Sequence, residues 1–537
     1  MGFVFVLNPL WCTVTQLPPA NSEFSSRCLF ITASCLVLLG SALLTVGIGG
    51  PMYIGVQLSA GLRAQLVVSS NESAQFALWA DNRAPDSPVL QFEWRFFNVV
   101  NADAFEAGRD TVLRVDEVGP YVYRELLVRS HDLRFVDGGD KAEYTYWNYW
   151  TYDQNATGTG LDALGDRLTL PNLPLLAIYK KLLPDGTPDV DQWWRMLLFD
   201  LLAAATNASL FVRDVAPDAS AYGYVDPTLL YLHSLAPDLV PVVSIALQIN
   251  DTSPEAAAAR NQSMGTYTGQ SDVSLAGTTY MFNGHYGHLD NWASSAANEI
   301  TGCDAFQCAP DIHTGDSRVF WLPPLYRPLS LTTNETYEFD GVQVNKFYVD
   351  ADAFMNASSV PSNAGFYQNG PSGVANLTSV PGLQGAPVFI SNPHFYLADE
   401  RYTANIELVG CADGRMCPDP PLHSSWIGLE PLSGLLFGGS KVLQVSVQAP
   451  DSVLFYWPNI TVPLMPIAWV REVGVITSAL AQKFNSQVSV ALLAITLSRW
   501  IGCIVGGLLF VVAAVVISIG CSRRGRSRGY SRLIVNN

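Results

Sequence analysis

The sequence is poor in charged side chains and lacks the signatures of the common enzyme classes. Only 14% of its 537 residues are charged, and 47 acidic against 30 basic residues give a formal net charge of −17. Nucleic-acid binding requires clustered Lys and Arg, so we expect no nucleic-acid partner. The chain contains no P-loop or H-E-x-x-H motif, the signatures of P-loop NTPases and zinc proteases. We therefore expect no enzyme activity and no cofactor.

One short cluster resembles a metal site. His285, His288 and Asp290 lie close together in a segment that is rich in Gly and Asn. Such a composition indicates a turn at the surface. We interpret the two histidines as solvated side chains and predict no metal site.

Charge is absent from two long apolar stretches, residues 28–50 and 501–520. A helix of about 20 residues is about 30 Å long, the thickness of the bilayer's hydrocarbon core. Arginines crowd the tail after the second stretch, and basic residues beside a span stay on the cytosolic side. We predict two transmembrane helices, cytosolic tails over 1–27 and 521–537, and a lumenal or extracellular ectodomain over 51–500. A cleaved signal peptide is the alternative for the first stretch, but its apolar region would be shorter, about 7–15 residues.

The distribution of N-x-S/T sequons agrees with this division. All of them lie between the two apolar stretches, so we predict a glycosylated ectodomain. Each acceptor should then face solvent. The predicted glycosylation sites are Asn71, Asn155, Asn207, Asn250, Asn261, Asn334, Asn356, Asn376 and Asn459.

Only four cysteines lie in the predicted ectodomain: Cys303, Cys308, Cys411 and Cys417. Four cysteines allow three pairings. We favour the two local ones, Cys303–Cys308 and Cys411–Cys417, because each closes a tight loop in an oxidising compartment. A zinc site with these ligands is the alternative, although the spacing is unusual.

The ectodomain alternates between strand-like and helix-like patterns. Aromatic and β-branched residues predict strands over 91–100, 111–115, 121–128 and 144–152, with a turn at 117–120. Three- and four-residue apolar spacing predicts helices within 168–234. Short strands follow up to Trp469, and residues 471–497 are again predicted to be helical. The predicted class is α+β, a largely antiparallel β core with an inserted helical bundle.

Several motifs, in the same order along the chain, resemble the CD36 scavenger-receptor family. The G-x-P-x-x-x-S-x-P-H-F pattern at 385–395 is the most specific of them. The remaining matches are F-F-N-V at 96–99 with Asn101, E-V-G-P-Y-V-Y-R-E at 117–125, G-Y-V-D-P at 223–227, T-G at 268–269, N-G to Trp at 283–292, E-P-L-S-G at 430–434 and the segment 463–469. They cover essentially the whole ectodomain.

The resemblance implies an antiparallel β-barrel with a helical apex at 168–234 and a tunnel for sterols, fatty acids or phospholipids. The 25 Phe, 22 Tyr and 13 Trp could line such a tunnel. A family cysteine is replaced here by Ala297, which puts the family's long-range disulfides in doubt. The segment 201–209 carries no lysine, so binding of an anionic lipoprotein by a cationic apex is not expected.

The side chains that could contact a ligand at the apex are Lys180, Lys181, Trp193 and Trp194. The first pair belongs to one predicted helix and the second pair to the next. These four residues are the candidate ligand contacts of the ectodomain.

The C-terminal tail contains a G-Y-x-x-Φ sequence, with Tyr530 and Leu533 as its two anchor residues. An extended peptide with one Tyr and one bulky apolar residue suits capture by a sorting adaptor. This pattern favours the lysosomal branch of the family. We expect a lysosomal or endosomal membrane location, with the plasma membrane as the alternative.

Three functions remain open from the sequence. The first is a receptor that binds lipids in its ectodomain and passes them to or from the membrane. The second is a receptor for a lumenal protein cargo, bound through the helical apex. The third is a two-span channel subunit, which would form a homo-oligomer; Gly502-x-x-x-Gly506 permits close helix packing, but neither apolar stretch carries a polar stripe.

Overall fold

The computed structural model describes residues 22–83, 87–183, 193–235, 237, 243–251, 253–304, 306–367, 370–383, 385–412, 414–450, 457 and 460–535. The chain divides into two compact units. Both chain ends, up to Ala60 and from Ser486, form one unit. The second unit is Gly61–Asn485.

Two long helices form the unit of the chain ends: α1, Ser22–Leu66, and α10, Ser478–Val535. Their segments Arg27–Ala64 and Ser478–Arg524 are long and apolar enough to cross a membrane, as the two predicted spans require. The predicted spans lie inside these longer helices. An added Cβ on Gly520 would lie 3.6 Å from the Phe30 ring. The end of α10 thus lies beside the start of α1, and the helices run antiparallel.

Glycines bring these two helices into close contact. A Cβ added to Gly502 would lie 2.3 Å from the Cα of Gly47, and one added to Gly506 would lie 3.0 Å from the carbonyl oxygen of Gly40. Small residues let helix backbones approach each other in a membrane. The Gly502-x-x-x-Gly506 face is therefore covered by α1 of the same chain.

The second unit contains short helices and many strands. Its helices are α2 Phe76–Ala80, α3 Ala102–Glu106, α4 Leu173–Leu182, α5 Trp193–Ala205, α6 Pro217–Tyr222, α7 Pro227–Leu235, α8 Pro254–Ala259 and α9 Pro420–His423. Its strands are β1 Val89–Val99, β2 Leu113–Val136, β3 Lys141–Tyr152, β4 Leu168–Pro171, β5 Phe211–Val215, β6 Tyr224–Val225, β7 Ser244–Ile245, β8 Ser263–Tyr267, β9 Thr279–Phe282, β10 His285–Tyr286, β11 Ser317–Leu322, β12 Arg327–Phe339, β13 Val342–Val349, β14 Val374–Asn376, β15 Val388–Ser391, β16 Ile406–Leu408, β17 Trp426–Leu429, β18 Leu436–Gln448 and β19 Leu464–Val475.

Most of these strands form one sheet, in the order β10-β9-β8-β3-β2-β1-β19-β18-β17-β13-β12-β11. Strand β15 joins it beside β18 and carries β14, and β16 pairs with β2. The β16–β2 pair is parallel, whereas the neighbours along the main path are antiparallel. The predicted α+β class with a largely antiparallel β core is confirmed.

Among the residues that the structure describes, strand pairing does not close the expected barrel, because the sheet ends at β10 and β11. An irregular segment, Gly302 to Asp304, lies between β9 and β11. Thr279 N donates to Gly302 O at 2.8 Å, and Cys303 N donates to Val319 O at 2.8 Å. Single backbone hydrogen bonds, rather than a strand ladder, therefore link β9 to this segment and this segment to β11.

Three sequence predictions need correction. The predicted turn at 117–120 is part of β2, because Gly119 adopts φ 146° and a bulge in β2, where Gly119 and Pro120 lie opposite the single residue Arg95 of β1, lets the ladder continue. Residues 471–475 belong to β19, and the following helix begins only at Ser478. The segment 168–234 is not entirely helical. Strands β4 and β5 within it pair as a short two-stranded sheet.

Candidate functional site

Three motif segments meet at one half-buried carboxylate, that of Glu117 in β2. His394 Nε2 lies 2.5 Å from Glu117 Oε2, and Trp469 Nε1 of β19 donates to the same oxygen at 2.9 Å. The side chain of His394 is 7% exposed. The separate motifs of the sequence thus converge on one network, which we call the Glu117 network: Glu117, His394, Trp469, Arg95 and His423.

The backbone around His394 is specialised to hold its ring. His394 lies in a short 3-10 helix, Pro393–Phe395, and adopts φ 55°. Its backbone N donates to Gln444 Oε1 of β18 at 2.8 Å, and its Nδ1 lies 2.8 Å from the carbonyl oxygen of Cys417. A carbonyl oxygen only accepts, so Nδ1 carries a proton. With Nε2 against a carboxylate, His394 donates from both nitrogens and is positively charged.

The pKa shift of Glu117 agrees with a His394 that donates from both ring nitrogens. Burial alone would raise the pKa of Glu117, but the hydrogen bond and charge of His394, the Trp469 donor and the charge of Arg95 outweigh it, so the pKa lies below its ordinary value. Arg95 lies over the Trp469 ring, with its Cζ 4.5 Å from the ring centroid. The partly buried ion pair is thus packed against aromatic rings.

A second histidine packs against the pair in a neutral state. The ring centroid of His423 lies 4.2 Å from that of His394. Asp419 N donates to His423 Nδ1 at 2.9 Å, so Nδ1 is an acceptor. Burial, and then the charge of His394, lower the pKa of His423 to about 3. One charged and one neutral imidazole therefore lie side by side.

The Glu117 network is suited to holding segments together rather than to catalysis. Both hydrogen-bonding nitrogens of His394 are occupied, one by a carboxylate and one by a backbone carbonyl. A general base needs a free nitrogen within reach of a substrate. The network instead joins β1, β2, β19 and the segment after β15 at one point.

The predicted cysteines lie in the two local pairs favoured from the sequence. Cys303 is joined to Cys308, and Cys411 is joined to Cys417. The first disulfide closes the loop that follows the Gly302–Asp304 link. The second lies beside the Glu117 network, through the carbonyl of Cys417.

The predicted glycosylation sites differ in exposure. Asn71, Asn155, Asn207, Asn261 and Asn334 are exposed, as a glycan requires. Asn250, Asn356 and Asn376 are half-buried. Asn250 also exchanges two hydrogen bonds with the backbone of Trp150. Asn459 lies outside the described residues.

The predicted apical residues lie on two neighbouring helices. Lys181 at the end of α4 is exposed and Lys180 is half-buried. Trp193 and Trp194 begin α5 and are 59% and 49% exposed. Phe199 on the opposite face is buried against Tyr179 and Trp457, with ring centroids 5.4 and 5.8 Å away. One apolar face of α5 is thus packed and the other is open.

The remaining candidates do not form a site together. His285 and Tyr286 form the edge strand β10, and His288 makes an isolated bridge with Glu299. Within the described ranges, no group of three His, Cys, Asp or Glu side chains could hold a metal. Tyr530 and Leu533 fall within α10, whose backbone is helical to Val535.

Some residues of the Glu117 network had a sequence signal and others did not. Glu117, His394 and Trp469 belong to motifs noticed in the sequence. Arg95 looked like an ordinary strand residue, and His423 lies outside every motif. Only the fold brings Arg95 and His423 next to the Glu117–His394 pair.

Comparison with known proteins decides the family. The CD36 family profile matches residues 35–517. The chain belongs to the CD36 family. Scavenger receptor class B member 1 of Mus musculus is 25% identical over 448 residues, which is 82% of this chain and 81% of that protein. Lysosome membrane protein 2 of Homo sapiens is 26% identical over 484 residues, which is 87% of this chain and 90% of that protein.

Membership in the CD36 family explains why the short motifs occur in one order. The matched region runs from within α1 to within α10, so both membrane helices and the sheet-rich unit belong to it. This CD36-family chain is a two-span membrane protein.

Proposed function

We propose that this CD36-family protein is a lipid receptor, which binds sterols, fatty acids or phospholipids in its ectodomain and passes them to or from its own membrane. The open face of α5 carries the proposal. Trp193, Trp194, Leu197, Leu198 and Leu201 are each between 46% and 59% exposed. Their helix contains one cation, Arg195, and one anion, Asp200. An exposed apolar face without net charge is suited to a lipid surface rather than to a charged partner.

Two relatives support the proposal by their names, since one is a scavenger receptor and the other a lysosome membrane protein. We propose a lysosomal or endosomal membrane, with both tails cytosolic. In this proposal a tunnel through the ectodomain is the route for the lipid, and the helical segment 168–234 is its apex.

Vesicle binding by the full chain in nanodiscs tests the role of the α5 face. Exchange of Trp193 and Trp194 for Ser should weaken binding to phosphatidylcholine vesicles about tenfold or more, since each buried aromatic contributes roughly 1.5–3 kcal/mol. The control is Leu164→Ser, because Leu164 is 61% exposed outside α5. Equal binding by the double variant would contradict the proposal.

The same open face favours a second candidate, a receptor for a lumenal protein cargo. A protein interface also uses exposed Trp as an anchor. In that case the double variant would lose protein binding while the wild type would show no affinity for vesicles. The channel alternative has less support, because α1 of the same chain covers the small-residue face of α10.

A further inference from the structure

A small cavity of about 210 Å³ lies between the end of β13, the segment after β15 and the residues before β17. Aromatic side chains in its wall are Tyr348, Phe354 and Tyr396, and Asp350 and Ser424 are among its polar residues. None of the described residues that line it is basic. The cavity therefore presents rings, hydroxyl groups and one acidic side chain to a ligand.

Asp350 combines a fixed backbone with a free carboxylate. Its N donates to Ser330 O at 3.1 Å, and its carbonyl oxygen accepts from Ala353 N at 3.0 Å. The carboxylate, in contrast, has no hydrogen-bond or ion-pair partner among the described residues. A carboxylate is a strong hydrogen-bond acceptor, so an unused acceptor is held at the wall of the cavity.

The two serines of the wall differ from each other in the same respect. Ser425 Oγ accepts from Val442 N at 2.9 Å and donates to Val442 O at 3.1 Å, which ties this side chain to β18. Ser424 is half-buried, and its hydroxyl has no such partner within the described part of the chain. A hydroxyl both donates and accepts, so Ser424 can bond to a ligand group of either kind.

A third part of the wall is a strained backbone segment. His394, Phe395 and Leu397 adopt φ angles of 55°, 55° and 62°, in the left-handed region that residues other than Gly rarely occupy. Asn392 Nδ2 donates to Tyr396 O at 3.2 Å and braces the segment. Strain of this kind clusters at ligand-binding positions. Here it places Tyr396 and Leu397 at the cavity.

We propose that this cavity binds the ring of a neutral sugar, a hexopyranose, with Asp350 and Ser424 as hydrogen-bonding partners of its hydroxyl groups. Sugar hydroxyls donate and accept, and the C–H faces of the ring pack on aromatic side chains such as Tyr396. The cavity is smaller than pockets for drug-sized ligands, which measure about 300–1,000 Å³, and suits a single ring. The site goes beyond the proposed function, since none of its residues belongs to α5.

Other ligand chemistries use these groups less well. An anion would face the Asp350 carboxylate without a basic partner in the wall. A quaternary ammonium group suits aromatic rings and a carboxylate, but it neither donates nor accepts a hydrogen bond. It would therefore leave the half-buried Ser424 hydroxyl unpaired, which is unfavourable.

Calorimetric titration of the full chain in nanodiscs of neutral lipid tests this site, with glucose, methyl glucosides and tetramethylammonium as probes. An endoglycosidase first trims the chain's own glycans, because the predicted acceptor Asn356 lies two residues after Phe354. We expect the sugar to bind with a dissociation constant on the order of 1 mM, and Asp350→Asn to weaken it about tenfold, since the charge-assisted hydrogen bond is lost. Asp352→Asn is the matched control, because Asp352 is exposed in the same turn and does not line the cavity.

The probes distinguish the sources of the sugar. Binding of glucose without binding of methyl glucosides would support a free sugar as the ligand, and binding of both would support the end of a glycan chain. Binding of tetramethylammonium without any sugar would overturn the proposal. An equal sugar affinity in the wild type and in Asp350→Asn would overturn it as well.

A second pair of variants keeps Asp350 in place, in case its exchange disturbs the fold. Ser424→Ala should weaken sugar binding about threefold, since one neutral hydrogen bond is lost, and should leave the unfolding midpoint unchanged. Ser425→Ala should lower the unfolding midpoint, because Val442 loses its partner, and should leave the sugar affinity unchanged. Equal sugar affinities in the two serine variants would overturn the proposal.

Discussion

Glu117 and His394 lie 277 residues apart in the sequence and are joined by a hydrogen bond of 2.5 Å in the fold. Removing one partner of a buried ion pair leaves the other charge uncompensated. Glu117→Gln should therefore lower the free energy of unfolding by about 3 kcal/mol. Thermal unfolding of the full chain in detergent measures the loss. The double variant with His394→Gln should cost less than the sum of the single variants, and strict additivity would contradict the coupling.

The same network predicts weaker stability in acid. The folded pKa of His423 is lowered to about 3 from an ordinary 6.5, so the unfolded chain takes up a proton that the folded chain refuses. Stability is then lost as the pH falls from 6.5 towards 3, by roughly 2 kcal/mol at pH 5. Glu117, whose folded pKa is also lowered, contributes stability above its ordinary pKa that is lost as the pH falls further.

Unfolding midpoints between pH 7 and pH 4 test this dependence. His423→Gln should flatten the slope between pH 6.5 and pH 5. The matched control is His313→Gln, since the side chain of His313 is 82% exposed and its loss should leave the slope unchanged. If both variants kept the wild-type slope, His423 would not be the titrating group.

The Cys303–Cys308 disulfide should hold the link between the two ends of the sheet. Exchange of both cysteines for Ala should cost about 2 kcal/mol, the loop-closure entropy of a short loop. It should also speed amide hydrogen exchange at Thr279 and Trp321, which pair with Gly302 and Cys303. Loss of the Cys411–Cys417 pair is the control, with a similar stability loss and unchanged exchange at those two amides. Faster exchange in both variants would mean that the effect is not local.

The glycine contacts between α1 and α10 predict which substitutions separate the helices. An added Cβ on Gly50 lies 3.5 Å from the Cβ of Ser498, within the range of a disulfide. A chain with Gly50→Cys and Ser498→Cys should therefore cross-link. Gly502→Leu should abolish the cross-link, and Gly507→Leu should not, because nothing lies within 4 Å of a Cβ on Gly507. Equal cross-linking in the two variants would contradict the helix pairing.

The sorting hypothesis concerns Tyr530 and Leu533 in the C-terminal tail. Adaptor binding in an extended form would require the end of α10, which is helical to Val535, to unwind. Tyr530→Ala should move the protein from lysosomes to the plasma membrane, measured by surface labelling. Ser531→Ala should leave its location unchanged. If the Tyr530→Ala variant were still found in lysosomes, the sorting hypothesis would be wrong.

The sequence was sufficient wherever a pattern is local or extreme. Two uncharged apolar stretches predicted the membrane helices, and aromatic-rich segments such as 144–152 predicted strands. It failed where a single residue decides the path of the chain. Gly119 and Pro120 are typical of a turn, yet they form a bulge opposite Arg95 of β1, and β2 continues through them. Leu168–Pro171 reads as helix but pairs with Phe211–Val215, a contact that no local pattern contains.

The candidate site was accessible from the sequence only in part. Glu117 and His394 stand in motifs, but their pairing depends on strand register and on the positive φ of His394. Long-range contacts of this kind become visible only in the fold.

Lipid carriage by the ectodomain is the central claim, and native mass spectrometry of the full chain, released from nanodiscs, tests it most directly. We expect peaks that carry bound sterol, fatty acid or phospholipid after mild activation, retained in Leu164→Ser. The control is a lipid-saturated nanodisc without the protein. A chain released with no lipid under any activation energy would contradict the claim.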